Sequence, residues 1–348
     1  MQVLTTVLVC MCVSTMLGQK VAPEARTTIA AFGDVNLGRS VGQELLKGDI
    51  GYPFRYVKDS LAKSDIVFVN LESQLTEQNG ETQNPKYNLI FCGPPVGAAS
   101  LKGAHVTIVS TANNHAYDYG RRALRETLVN LDSAGIASVG TSIDSVETFV
   151  PVVLEHSGIR IGFLAYTQFM NFKGTWKGHV ALFDEHRIAQ DVAALRAKAD
   201  FIIVSYHGGS EYVDRPPGTV KHDFKVIADA GADVVVGHHP HYVQGIEWYQ
   251  NTLFFYSLGN FVFYQPQLEW TQMGLGVQLM LVRSDSAVTI GQAQLMAVRA
   301  GLQPSFVLSA TEERAFFQRL VKLSSSQVYQ NNGSWFVQIR KRDEYNER

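Results

Sequence analysis

Three of the ten histidines of this 348-residue chain fall within four positions, at His238, His239 and His241, directly after the apolar run 234–236. Imidazole carries protons near neutral pH and binds borderline metals. Four more residues with metal-binding chemistry also follow short apolar runs. "TTIAAF" leads to Gly33-Asp34, "DIVFV" to Asn70-Leu71-Glu72, "VTIVST" to Asn113-Asn114-His115, and "FIIVSY" to His207. Asp and Asn are common turn formers after strands, which accounts for Asp34 and Asn114 taken singly. Histidine has no such preference, and an unpaired buried imidazole costs free energy. Five placements of one kind therefore point to a metal site. A mixed set of imidazole, carboxylate and amide suits Mn, Zn, Fe or Mg, with room for two divalent ions sharing a bridging carboxylate. Such a pair can activate water and clamp the oxygens of a phosphate ester. Cys92 lies away from these positions, so no thiolate takes part.

The runs themselves say what positions these residues. Each is four to six residues long, rich in Val, Ile and Phe, and closed by a polar turn, which is the pattern of a buried strand. Between them lie helical patterns at "PFRYVKDSLAKS", "RRALRETLVNLDSAG", "HRIAQDVAALRAKA" and "VKHDFKVIADAG". Strands alternating with helices predict an α/β layer architecture, and ligands of such sheets gather at the carboxyl ends of the strands.

Composition bounds the rest. Hydrophobic residues make up 46% and charged residues 18%, enough apolar side chains for a sizeable core. Thirty basic and 32 acidic residues give a formal net charge of −2 with no basic run, which argues against nucleic acid as a partner. Residues 1–19 are apolar from Val3 to Leu17, the length of a signal-peptide core, although no Lys or Arg precedes it. Secreted or periplasmic placement is the expectation, with a lipid anchor at Cys10 or Cys12 as the alternative. Removal of that segment would leave Cys92 alone, without a disulfide partner.

"FGDVNLGR", "NLESQLT", "STANNHAYDYG", "HGGSEY", "GADVVVGHHPHYVQG" and "FYSLGNFVF" together resemble, in order, the motifs of the CapA family of capsule-synthesis proteins, spanning roughly positions 29 to 264. Those proteins are similar in fold to calcineurin-like metallophosphoesterases, so the resemblance implies a layered α/β/β/α sandwich with its metal site at the strand ends. It makes Asp34, Glu72, Asn114, His207, His239 and His241 the ligands, with Glu72 in the bridging place, and His115 the general acid. His239 and His241 are spaced so that both rings of an extended segment face one way, with Pro240 fixing the backbone between them. By the same alternation His238 is expected to point away and act in packing or behind the ligands. Asn36 stands where the phosphoesterase pattern has a histidine, and Gly208-Gly209 where Trp-Gly is usual, which removes an aromatic wall from the cleft.

Flanking residues carry paired readings. Asp118 either holds the His115 imidazole or caps the next helix. Glu211 either accepts from a ligand histidine or is a surface residue. Arg39 binds an anion or is solvated, and Asn260 shapes the cleft or a turn. Residues 27–310 are expected to form the CapA-like domain, and 275–298 a hairpin turning at 284–287 that completes a second sheet. Residues 311–348 are expected to form a Thr-capped helix and, from Gln327, a loose polar tail. Function divides in two. One expectation is a metal-dependent hydrolase acting on an anionic polymer or phosphoester during poly-γ-glutamate capsule synthesis, export or trimming. The other is a non-catalytic metal-binding scaffold among membrane-associated capsule-synthesis partners.

Overall fold

The computed structural model describes residues 25–172, 174–284 and 287–340. The expected signal segment 1–19, with Cys10 and Cys12, lies outside the described residues. So do positions 285–286 of the 284–287 turn and positions 341–348.

Two sheets stack face to face. One carries the parallel strands Arg26–Val35, Ile66–Leu71, Ile108–Ser110 and Ala137–Val139. The other carries the parallel strands Ile159–Thr167, Phe201–His207, Val234–His238 and Thr252–Phe255. Strand alternation builds four layers from these two sheets. Ile29, Ala31, Ile203, Val234 and Val236 face the space between the sheets. Ala30, Phe32, Val67 and Val69 face outward onto Val41, Leu45 and Leu101, from helices Arg39–Leu46 and Gly97–Gly103. On the opposite side Ile202, Val204 and Val235 pack on Ile188, Val192 and Phe224, from helices Glu185–Arg196 and Gly218–Asp229. This is the layered α/β/β/α arrangement expected from the sequence.

The structure corrects four local expectations. The "PFRYVKDSLAKS" pattern is not one helix: a 3-10 turn at Tyr52–Phe54, with Pro53 at its start, gives way to a short helix at Lys58–Leu61. The hairpin of strands Met273–Ser284 and Ala287–Arg299 joins the first sheet, not a second one, because Met273–Ser284 runs antiparallel to Arg26–Val35 from Arg26↔Val282 to Ala31↔Val277. The helix Ala310–Leu323 is capped by Ser309, not Thr311, through a capping box with Glu312. The segment after Gln327 is not a loose tail. Strands Val328–Asn331 and Ser334–Val337 pair around Asn332 and Gly333, both at positive φ, and extend the first sheet. Phe317 stacks on Trp335 at 4.3 Å, and Phe316, Phe317, Leu320 and Val337 enter the central core.

The carboxyl ends of both sets of parallel strands open on the same edge of the sandwich. The backbones there approach so closely that a Cβ at Gly33 would lie 1.9 Å from the Gly259 carbonyl oxygen, and one at Gly237 would lie 2.0 Å from that of Tyr256. Asp34 N donates to the Gly259 carbonyl at 2.9 Å, so the same contact fixes the first candidate ligand. Gly33→Ala is expected to destabilise the fold by about 1–3 kcal/mol through overpacking against backbone. Calorimetric melting of the purified variant checks this, and an unchanged melting temperature would contradict it.

Candidate metal centre

Asp34, at the end of its strand, and Glu72, one residue past the end of strand Ile66–Leu71, come from the first sheet. His207 and His238 end adjacent strands of the second sheet and are paired in register. The ligand-forming atoms of Glu72, His207 and His239 lie within 4.8 Å of one another, and so do those of Asp34, Glu72 and His241. The two triads share Glu72. Asn114 joins through its Oδ1, 2.7 Å from His207 Nε2. All six residues proposed as ligands from the sequence are thus gathered into one buried cluster across the seam between the sheets.

The histidine segment reaches the cluster by a route that strand alternation does not describe. The strand stops at His238, and His239 and His241 both adopt positive φ, +96° and +54°. That backbone is sterically costly for residues with a side chain and persists only where the surroundings enforce it. Here Asp34 Oδ2 accepts from His239 N at 3.3 Å, and Asn260 Oδ1 lies 2.9 Å from His241 Nδ1. His238 does not point away: its Nδ1 is 3.3 Å from Asp34 Oδ1, because 234, 236 and 238 all face the inter-sheet space.

The two carboxylates are treated differently by their surroundings. Asp34 receives the Asn70 amide at 2.8 Å and touches His238 and His241 at 3.3 Å. Burial would raise its carboxyl, but the two imidazoles outweigh that and hold it well below the usual carboxylate range. Glu72 is fully buried, and neither carboxylate oxygen has a hydrogen-bond partner among the described residues. Burial first, then the charges of Asp34, Glu211 and Asp118, push it well above its usual range. Burial holds His207 well below the usual histidine value, and burial with His241 lowers His239 to about 3, so both rings are neutral and able to donate a lone pair. Unpartnered Glu72 oxygens and an unpartnered His239 Nδ1, facing neutral imidazoles and an amide oxygen, form a donor set that fits divalent metal ions.

His115 lies beside the cluster, its Nε2 4.0 Å from Glu72 Oε1 and its Nδ1 2.8 Å from Asp118 Oδ2. Asp118 is therefore placed to hold the imidazole and does not cap the next helix, whose N-cap position is Tyr119. Asn36 turns its Oδ1 onto the Gly38 amide at 2.8 Å, away from any ligand role. Glu211 is exposed and acts on Glu72 through its charge. Asn260 braces His241 and donates to Gln265 and to the Thr271 carbonyl. Arg39 lies over the Phe91 ring at 4.6 Å. The aromatic wall expected to be missing beside Gly208-Gly209 is supplied from elsewhere: Phe169 meets His239 edge-on at 4.9 Å, and Phe91 packs on His115 at 4.3 Å. Sequence reasoning missed Asn70, whose amide spans Asp34 and His207, and Asn171, which receives the Asn114 amide at 3.0 Å. Asn70 had a signal, since it shares strand parity with Glu72; Asn171 comes from a loop and had none.

Fold and cluster together define a layered α/β protein with a buried histidine–carboxylate site compatible with metal binding. The model of the family described as bacterial capsule synthesis protein PGA_cap matches residues 28–265, and the chain belongs to that family. It is 29% identical over 308 residues to the capsule biosynthesis protein CapA of Bacillus anthracis, covering 86% of this chain and 74% of that one. It is 30% identical over 244 residues to the PGA biosynthesis protein CapA of Bacillus subtilis (strain 168), covering 69% of this chain and 63% of that one. Among solved structures it is similar to the calcineurin-like phosphoesterase YfkN from Bacillus subtilis, with a TM-score of 0.47, 15% identity and coverage of 86% of this chain and 99% of that one. It is also similar to GAP50, the anchor in the inner membrane complex of Plasmodium, with a TM-score of 0.44, 10% identity and coverage of 88% and 98%. Likenesses at this level leave the chemistry to be read from the site itself.

The lowered His239 value makes a pH prediction for chelated protein. A histidine held neutral in the fold protonates freely when unfolded, so the unfolded state binds more protons between the ordinary value of 6.5 and about 3. Stability should fall as pH drops through that window, by up to about 1.4 kcal/mol per pH unit for this one group. Glu72, pushed upward, works in the opposite sense, losing stability as pH rises above its ordinary value. His239→Gln should flatten the acid-side fall in melting temperature, and equal slopes for variant and wild type would contradict it.

Proposed function

We propose that the chain is a metal-dependent hydrolase with a phosphoesterase-type site, acting on an anionic polymer in the synthesis, export or trimming of a poly-γ-glutamate capsule. Glu72 supports this reading: it is buried, without a hydrogen-bond partner among the described residues and common to both triads, so it would serve two divalent ions, one held with His207, His239 and Asn114 and one with Asp34 and His241. Ions of the Mn, Zn, Fe or Mg type would supply charge to a substrate oxygen and lower the pKa of a bound water. The family and the names of the Bacillus relatives support the polymer as substrate. Secreted or periplasmic placement, through residues 1–19, agrees with capsule chemistry.

The chain's own groups then have separable tasks. Asp118 accepts from the Phe91 amide at 3.2 Å as well as contacting His115, so it sits fixed and orients the imidazole through Nδ1. That leaves His115 Nε2 on the Glu72 side, free to pass a proton to a departing oxygen or nitrogen. Phe91 and Phe169 line the cleft and limit water beside the reacting groups.

One observation favours the second reading, a metal-binding scaffold in a polymer-export complex with membrane-associated partners. Asn36 spends its Oδ1 on a backbone turn, so the amide oxygen that could have ligated beside Asp34 is already engaged. The two readings separate on His115. In a hydrolase, His115→Ala should keep its metal content and melting temperature but lose turnover by about 10²–10⁴-fold, with a smaller loss for Asp118→Asn. Metal analysis and turnover on phosphoesters and γ-glutamyl polymers, measured on the same preparations, check this. A wild type without turnover on either class hands the case to the scaffold, and loss of metal from His115→Ala makes His115 a ligand.

A further inference from the structure

Arg39 is an arginine with its backbone strained and its charge uncommitted. It sits at φ +51°, directly after Gly38, where a residue with a side chain is disfavoured. Thr82 pins it there from both sides: its carbonyl accepts from Arg39 N at 2.9 Å, and its hydroxyl donates to the Arg39 carbonyl at 2.8 Å. The half-buried guanidinium lies 4.6 Å from the centroid of Phe91 and 5.9 Å from that of Phe263. Those two rings also carry the centre, since Phe91 packs on His115 at 4.3 Å and Phe263 on His241 at 4.8 Å. Arg39, the proton donor and a candidate ligand therefore share one aromatic wall.

Its polar contacts stop short of satisfaction. Nη2 donates to the Asn88 carbonyl at 3.0 Å, while Nε is buried with no hydrogen-bond partner among the described residues. Glu72, Tyr212 and Asp118 are near enough to act on its charge, yet none forms an ion pair with it among the described residues. Phe91 beneath the guanidinium, with Phe263 set perpendicular to Phe91, restrains the planar fork, whose N–H groups suit a planar oxyanion.

We propose that Arg39 is the substrate-anion clamp of this site, receiving a carboxylate of the γ-glutamyl polymer beside the metal centre. The inference rests on the proposed polymer substrate but not on turnover, because a scaffold that holds the polymer needs the same contact. It makes Arg39 a specificity-determining residue: the fork grips a side carboxylate while a neighbouring bond faces His115.

The test is calorimetric titration of the full chain, loaded with Mn, using a γ-glutamyl oligomer with free carboxylates and, separately, inorganic phosphate. Arg39→Gly relieves the positive φ, so it should keep its fold, melting temperature and metal content. It should bind the oligomer about tenfold to hundredfold more weakly, as expected when one charge-assisted contact is lost. Arg39→Lys keeps charge but not the fork and should fall between, with a salt dependence close to that of wild type. Unchanged oligomer affinity in Arg39→Gly, or no oligomer binding by wild type, overturns the proposal. Weakening confined to phosphate overturns it too, by assigning the clamp to a phosphoester. Binding that responds to Arg39 without any turnover defeats the hydrolase reading and leaves the clamp in place.

Discussion

A fully buried carboxylate without a hydrogen-bond partner is the constraint on which this structure turns. Glu72 has its ligand atom within 4.8 Å of that of Asp34. Were both ionised with nothing between them, their repulsion would be roughly 3 kcal/mol at an effective dielectric near 20, before any cost of desolvation. Asp34 is relieved by Asn70, His238 and His241, whereas among the described residues Glu72 receives no hydrogen bond and only the more distant Arg39 charge favours its ionised form. A cation meets that need directly, and the neutral rings of His207 and His239 complete the donor set without adding positive charge.

The layered fold exists, in effect, to hold that arrangement. The two carboxylates and Asn114 come from one sheet and the imidazoles from the other, so the centre is only as precise as the stacking of the sheets. The central core of Ile29, Phe68, Phe163, Ile203, Val236 and their neighbours sets that spacing. The glycine contacts at Gly33 and Gly237 close the edge by bringing backbone against backbone. Asn70 then ties the seam together, its amide lying 2.8 Å from Asp34 Oδ1 and 3.2 Å from His207 Nδ1. The left-handed backbone at His239 and His241 is a local cost sustained by these surroundings, and it turns inward two rings that a strand continued past His238 would have faced the other way.

Much of this was legible because the ligands are punctual events in sequence. Each follows a buried apolar run whose length and β-branched content mark a strand, and the topology of parallel strands carries all of them to one edge. What escaped depended on contacts between distant segments or on where a strand ends. Alternation carried through His239 and His241 faces His238 away, but the strand ends at His238 and the two residues after it that were to face the site both leave the extended region. The break in 53–64 follows from Pro53, which starts a tight turn. The terminal hairpin reads as a tail only if its polar residues Gln327, Gln330, Asn331 and Asn332 are weighed alone, since Asn332-Gly333 between "VYQN" and "SWFV" is the two-residue turn signal that closes such hairpins. Assigning the hairpin 273–299 to the first sheet needs pairing information that period-2 patterns do not carry.

The His115–Asp118 pair bears on whether the centre does more than stabilise. A metal kept for structure is enclosed by protein ligands, whereas a catalytic one leaves a position open with a proton carrier beside it. His115 belongs to neither triad, yet it is buried, fixed through one nitrogen and turned by the other toward the shared carboxylate. Asp118 is itself largely buried and pushed upward by that burial, with the His115 contact pulling it back. Retaining two ionisable groups in that setting costs stability, and apolar side chains of similar volume would pack the wall against Phe91 more cheaply. On the proposed hydrolase reading, the pair sets a proton carrier on this side of Glu72, which gives a reason for that cost.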